Sequence, residues 1–272
     1  MTSHQGAYGL RFAGPVGDLL IEAPESWPLV SISQQVGAVN GRTEEFAEDE
    51  AELALVDGWA SLVRQPAVVD FTFQRTMTEG EIAHPFLTRA AAAHTYWLRR
   101  ESFHAGAFIA NGKAWAVAAD REGGKSSTLA GLALAGLPVL VDDLVVTRDT
   151  TMFAGPRSID LREGAARFLE AGESMGVHGG RARFRLRLEP VPAEIEVGGW
   201  IFLEWGDAVE AVVLEPFDRL QHLMAHRMVK GPAQLAPEGL LGLAVLPGYV
   251  LRRPKSFASF EESLAALLAV AA

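Results

Sequence analysis

The 272-residue chain contains no cysteine, which excludes disulfides, thiol catalysis and Cys-based zinc sites. Nor does it have an excess of positive charge: 24 Lys and Arg stand against 34 Asp and Glu, a formal charge of −10. That argues against a polyanion partner, because nucleic-acid binding leans on clustered Lys and Arg to displace counterions. No apolar run approaches the roughly 18–20 residues of a bilayer-spanning helix. The opening MTSHQGAYGLRFAG has neither the charged start nor the continuous apolar core of a signal peptide. Internal repeats and low-complexity linkers are also missing. The expectation is a soluble, cytoplasmic protein with neither nucleic acid nor membrane as partner. What is there is ordinary globular composition, 49% hydrophobic and 21% charged, in a chain long enough to bury a substantial core.

The most informative stretch runs from His104 to Asp143. Trp115 to Ala118 reads as an apolar strand, Ala119 to Gly124 as a glycine-containing loop, and Lys125-Ser126-Ser127 as the start of an Ala/Leu-rich helix ending at Gly136. Such an order makes a phosphate cradle: N–H groups of the loop and helix N-terminus face the anion, Lys adds a mobile charge, and a Ser hydroxyl can ligate Mg²⁺. The predicted contacts are Asp120, Arg121, Glu122, Gly123, Gly124, Lys125, Ser126 and Ser127, so the implied ligand is a nucleoside triphosphate with its metal, taken as ATP with Mg²⁺. The match to G-x-x-x-x-G-K-[ST] departs at one position, where Ala119 replaces the first Gly. Leu137 to Val141 then forms a short strand delivering Asp142-Asp143. Two carboxylates at a strand end beside a phosphate loop suit proton abstraction, assigned to Asp142, and metal ligation, assigned to Asp143 with Ser126.

Asn111-Gly112 is a hairpin signal that pairs the His104 and Trp115 strands antiparallel. That pairing brings His104 level with the phosphate loop. Glu170 to Gly180 holds four glycines without periodicity and is expected to be a mobile loop, with a lid as one role for it. In the following RARFRLRL, period-two alternation sets four Arg on one face. Arg181 and Arg183, nearest that loop, are the site candidates for a phosphate or carboxylate; a salt-bridged edge strand is the competing reading. The acidic run Arg42 to Glu52 is expected to be a solvated loop or helix face, with a docking patch for a basic peptide as the alternative. A helix is predicted over Leu87 to Arg100, with His84 in a turn before it and His94 on its surface. His222 and His226 share a helix face without a third metal ligand. Ser259 and Glu262 read as a capping box opening a closing helix, Phe260 to Val270.

These residues resemble the catalytic domain of the HPr kinase/phosphorylase family, which is similar to phosphoenolpyruvate carboxykinase in its nucleotide core. The resemblance is carried by His104-Ala105-Gly106, by the phosphate loop, by the spacing of seventeen from Lys125 to Asp142, and by Gly155-Pro156-Arg157-Ser158-Ile159-Asp160. The family's Glu and Arg just before that Gly are Met152 and Ala154 here, which leaves Arg157 as the candidate for the missing contact. HPFLTRAAA, GPRSIDLR and GWIFLEWG further resemble the divergent HPr-kinase-like serine kinases of lasso-peptide maturation. The resemblance implies a peptide or small-protein phosphoacceptor, a base at Asp142 aided by His104, and a homo-oligomer, since the resembled kinases are hexamers.

Together these readings predict an α/β fold, with residues 1–82 as a small α+β subdomain and 83–272 as a P-loop kinase-like catalytic domain. The predicted activity is ATP-dependent phosphorylation of a peptide serine. Nucleotide hydrolysis without an acceptor, and a non-catalytic nucleotide- or peptide-binding partner, are the alternatives.

Overall fold

The computed structural model describes residues 4–39, 41–229 and 237–272. Through Phe73 the described chain is built from strands: β1 (Gln5–Ala7), β2 (Leu10–Ala13), β3 (Ile21–Glu22), β4 (Leu29–Val36), β5 (Glu45–Phe46), β6 (Glu50–Leu55), β7 (Gly58–Val63) and β8 (Val68–Phe73). They form one sheet in the order β3-β1-β2-β4-β8-β7-β6-β5. The acidic run is therefore not a loop or helix. It carries β5 and the start of β6, because Ala51 and Leu53 alternate inward while Glu50 is exposed and Glu52 half-buried. Helix begins only at α1 (Glu79–Glu81), which continues through a π-helical turn (Ile82–Phe86) into α2 (Leu87–Trp97). The expected boundary between 82 and 83 falls in this stretch, and α2 packs on both β6 and the next strand, β9 (Glu101–Phe103).

The chain continues through β10 (Ala105–Ala110), β11 (Lys113–Ala119), α3 (Lys125–Leu134), β12 (Val139–Val141), β13 (Val145–Arg148), β14 (Thr151–Phe153), β15 (Ser158–Arg162) and α4 (Glu163–Leu169). Then come β16 (Glu173–His178), β17 (Arg181–Arg187), β18 (Glu194–Trp205), β19 (Glu210–Val213), α5 (Pro216–His226), α6 (Pro237–Ala244), β20 (Gly248–Arg253) and α7 (Phe260–Val270). Strands β9 to β14 and β18 to β20 make a nine-stranded mixed sheet, and β15-β17-β16 a separate three-stranded one. The fold is mixed α/β with several sheets. No helix of the described residues is long and apolar enough to cross a membrane.

Asn111 and Gly112 both take left-handed φ, +51° and +73°, and close the two-residue hairpin that pairs Ala110 with Lys113 and Ala105 with Ala118. Strand β11 is buried on both faces and divides its side chains by parity. Ala114, Ala116 and Ala118 join the core shared with the N-terminal sheet and α2, while Trp115, Val117 and Ala119 join the core under α3 and α7. The first core also ties distant segments by polar contacts. The Tyr8 N–H donates to the Ala154 carbonyl at 2.6 Å, and the Trp27 indole donates to Glu194 at 2.6 Å.

Several local expectations are corrected. Glu170 to Gly180 is no mobile loop: Glu173–His178 pairs with β17 as a strand, turning at Gly179 and Gly180. His94 is buried rather than on a helix surface, with Nε2 3.3 Å from the Val68 carbonyl, and burial pulls its pKa down to about 4 against that carbonyl's opposing pull. Ser259 does not cap α7. A 3-10 turn over Phe257–Ser259 precedes the helix, capped by Ser256, and the Ser259 hydroxyl donates to the Ser256 carbonyl at 3.1 Å.

Candidate functional site

The loop between β11 and α3 turns on two left-handed residues, Glu122 (φ +66°) and Gly124 (φ +83°). Ala119, at the place of the expected first glycine, is the last residue of β11 and keeps strand geometry, so the position asks for no glycine. Glycine is needed instead at Gly123, where an added Cβ would lie 2.7 Å from that of Ala119, and at Gly124. Besides its φ, an added Cβ there would lie 2.6 Å from Nη2 of Arg253. Arg253 is buried and supports the loop from beneath: Nη2 donates to the Gly123 carbonyl at 2.8 Å, and the guanidinium lies over the Trp205 ring. Burial lowers its pKa to about 10. Helix α3 starts at Gly124 with no side-chain cap and no acidic residue in its first turn. Its N-terminal end therefore keeps unsatisfied donors and an uncompensated positive dipole end.

Lys125 reaches from the first turn of α3 to the end of β12. Its Nζ bonds Asp142 Oδ1 and lies 2.8 Å from Asp143 Oδ1, and Asp142 Oδ1 also accepts the Asp143 N–H at 2.8 Å. Burial works against the ammonium, but the Asp142 and Asp143 carboxylates override it and raise Lys125 above its ordinary pKa. Burial would likewise raise Asp143, yet Lys125, then His84 and His104, hold its carboxyl well below the usual range. The Asp142 side chain is 1% accessible, whereas Asp143 keeps 35% and takes a left-handed φ of +69°. His104 stands beside them, its pKa lowered by burial and by Lys125 against the pull of both carboxylates; its backbone N–H donates to His226 at 2.7 Å.

Three cavities meet at Asp143. The first, about 530 Å³, is lined by Asp120 through Ser127 together with His104, Asp160, Arg162 and Arg183. The second, about 250 Å³, holds His84, Arg121, Arg181, Arg183 and Arg185. The third, about 380 Å³, is mainly apolar and shares only His104 and Asp143 with the first.

The eight predicted phosphate-loop residues thus line one cavity with His104 and Asp143, and Lys125 ties Asp142 beneath it. Arg183 reaches two cavities and makes no ion pair among the described residues. Arg181 is 3.4 Å from Glu122, which also pairs with Arg162 at 2.7 Å. Arg157 lines none of the three: it donates to the Asp18 carbonyl at 2.6 Å. His222 and His226 pack their rings on Phe202, with centroids at 4.6 and 5.8 Å, rather than lying free on a helix surface.

The sequence reading missed two residues. His84, expected in a turn, is 1% exposed. Its Nε2 lies 3.8 Å from carboxylate oxygens of both Asp143 and Asp160, and neither ring nitrogen has a hydrogen-bond partner. Arg185 binds Asp160 through Nε and Nη2, both at 2.7 Å, and donates to the carbonyls of Gly80 (2.8 Å) and His84 (2.6 Å). The signal available was the period-two arginine row, which showed a common face but not which members would be buried.

Among the described residues no group of three or more His, Asp or Glu is spaced to hold a metal by itself. Mg²⁺ bound largely by phosphate oxygens and water needs only one or two protein oxygens. Ser126 and Asp143 border the same cavity and can supply them. No protein-family model and no curated protein matches the chain. Among solved structures, the HPr(Ser) kinase/phosphatase from Coxiella burnetii is similar over 62% of this chain and 95% of that one, with 10% identity and a TM-score of 0.32.

Proposed function

We propose that this protein is an ATP-dependent serine kinase that uses Mg²⁺ and phosphorylates a peptide or small protein, with a lasso-type ribosomal precursor peptide as the favoured acceptor. The observation that carries the reading is the convergence of Lys125, Asp142 and Asp143 at a glycine loop opening an uncapped helix. Treating this strand, loop and helix as a P-loop of the HPr kinase/phosphoenolpyruvate carboxykinase type is part of the same proposal. So are a catalytic role for residues 83–272, a covering role for 1–82, and a cytoplasmic location, where ATP is plentiful.

When bound, ATP supplies the phosphoryl group and Mg²⁺ the charge that neutralises its oxygens. The loop N–H groups and Lys125 bind and orient the phosphates, while Ser126 and Asp143 offer oxygens to the metal. Lys125 keeps protons off Asp143 and bonds Asp142, which is placed to accept the serine proton. His104, held neutral, orients that proton path. Arg183, without an ion-pair partner among the described residues, faces the charge that moves. Arg157 has no part in this scheme.

The near-complete burial of Asp142 favours one second reading, in which it activates a water and the protein hydrolyses nucleotide. Intact-mass analysis of serine-containing precursor peptides incubated with the protein, Mg²⁺ and ATP separates the two. The kinase gives a gain of about 80 Da, one phosphoryl group, that disappears in Lys125→Ala. ADP formed without any gain would establish the hydrolase instead.

A further inference from the structure

The acidic strand lies at one end of a trough whose other end is Asp143. From His104 and Asp143 the apolar cleft passes Leu55, Val56, Pro85 and Phe86 to reach Arg89 and Met228. Arg89 and Met228 also line a second cleft, of about 280 Å³, which ends at Glu44, Glu45 and Phe46. The trough therefore runs from a candidate reactive carboxylate, over an apolar floor, to a carboxylate rim.

Its two ends differ in chemistry. Val56 is a large apolar side chain left 52% exposed. At the rim, Glu44 is engaged, accepting from Arg89 at 2.7 Å and from the Ala54 N–H at 2.9 Å. Glu45, Glu48 and Glu50 are exposed and make no ion pair among the described residues. Arg89 also donates to the Ala54 carbonyl, so both Ala54 backbone groups are already taken. Recognition along this wall rests on side chains rather than on strand addition.

We propose that this trough is the acceptor channel of the kinase reading above, on which it rests, and that its occupant is an extended basic peptide segment with an apolar residue beside the reactive hydroxyl. The apolar residue covers Val56 and Pro85, removing their surface from water. Lys or Arg farther along meets Glu45, Glu48 and Glu50, and the net charge of −10 steers such a segment inward.

The test measures binding apart from transfer. A fluorescein-labelled peptide, Lys-Arg-Gly-Gly-Val-Leu-Ser-Gly, is titrated by anisotropy against the wild type, Val56→Glu and Glu45→Lys. Both substitutions are at exposed channel positions rather than in the phosphate loop or the carboxylate pair, and circular dichroism checks their folding. Each variant should weaken binding by about three- to tenfold, and added salt should weaken the wild type. A peptide with Glu-Glu in place of Lys-Arg should bind Glu45→Lys better than the wild type. Equal affinity across all three proteins, no binding of the basic peptide, or self-association of the wild type that Val56→Glu abolishes would each overturn the channel. Binding that follows the predicted pattern without mass gain keeps the channel and sinks the kinase. Mass gain indifferent to the flanking residues does the reverse.

Discussion

Two buried cations, Lys125 and Arg185, sit on either side of His84 and are held in opposite ways. Lys125 faces two carboxylates through one mobile ammonium at the edge of an open cavity. Arg185 spends its fork on one carboxylate and two backbone carbonyls, fastening β17 to the turn that carries His84. The Arg185–Asp160 pair balances one charge against one, whereas a single Lys faces two Asp. A planar, multiply bonded guanidinium is suited to holding structure, and a flexible ammonium to exchanging partners. The chain uses one of each within the same carboxylate cluster.

The largest expected effect breaks the exchangeable side of this pair. Lys125→Ala and Asp142→Asn should each lower transfer by about a thousandfold or more, with Asp142→Asn sparing nucleotide binding in a titration. An Asn variant with near-normal turnover would remove Asp142 as the base.

Arg185→Met should cost about 3–5 kcal/mol of stability, because it strands a buried carboxylate; urea unfolding measures it, and adding Asp160→Leu should recover much of the loss. Lys125→Met sharpens the contrast through pH. In the wild type, Asp143 has a lowered folded pKa, so its contribution is full above the unfolded value of about 3.9 and is lost only as pH falls through the folded value. Without Lys125 only His84 and His104 oppose the effect of burial, so the carboxyl moves upward and the variant's deficit should shrink as pH falls. A deficit independent of pH would place the effect of Lys125 in packing.

His94 gives the next effect. Its folded pKa of about 4 lies below the unfolded value of about 6.5. The unfolded chain therefore binds the proton first, and about 3 kcal/mol of stability is lost as pH falls from about 6.5 to 4. Urea midpoints against pH should show this slope, flattened in His94→Gln. The smallest effect belongs to the exposed Glu122–Arg162 pair: Glu122→Gln should leave the melting temperature unchanged within error.

What the sequence made legible was what local chemistry decides. Asn111-Gly112 specifies its hairpin without help from the rest of the chain, and the spacing from Lys125 to Asp142 measures one helix and one strand. The closing helix Phe260–Val270 is found at its expected ends, although its cap is not. Illegible were features made by distant packing. His84 is buried by contacts that its neighbours in sequence do not announce. Strand β16 hides behind glycines because it is mostly exposed, with a register shift between Ser174 and Gly176, and so shows no apolar alternation. The arginine row is on one face as read. Only the fold decides that Arg185 is buried, that Arg181 and Arg187 are paired outside, and that Arg183 faces the cavities.

The bonds from Tyr8 to Ala154 and from Trp27 to Glu194 also bear on how the protein is made. A ribosome releases the first strands long before the residues that complete their burial, and Trp27 waits for a partner 167 positions later. Until then the N-terminal sheet exposes an apolar face, at the elongation pace of about 5–20 residues per second. The N-terminal core is thus completed only when the second half of the chain has been made.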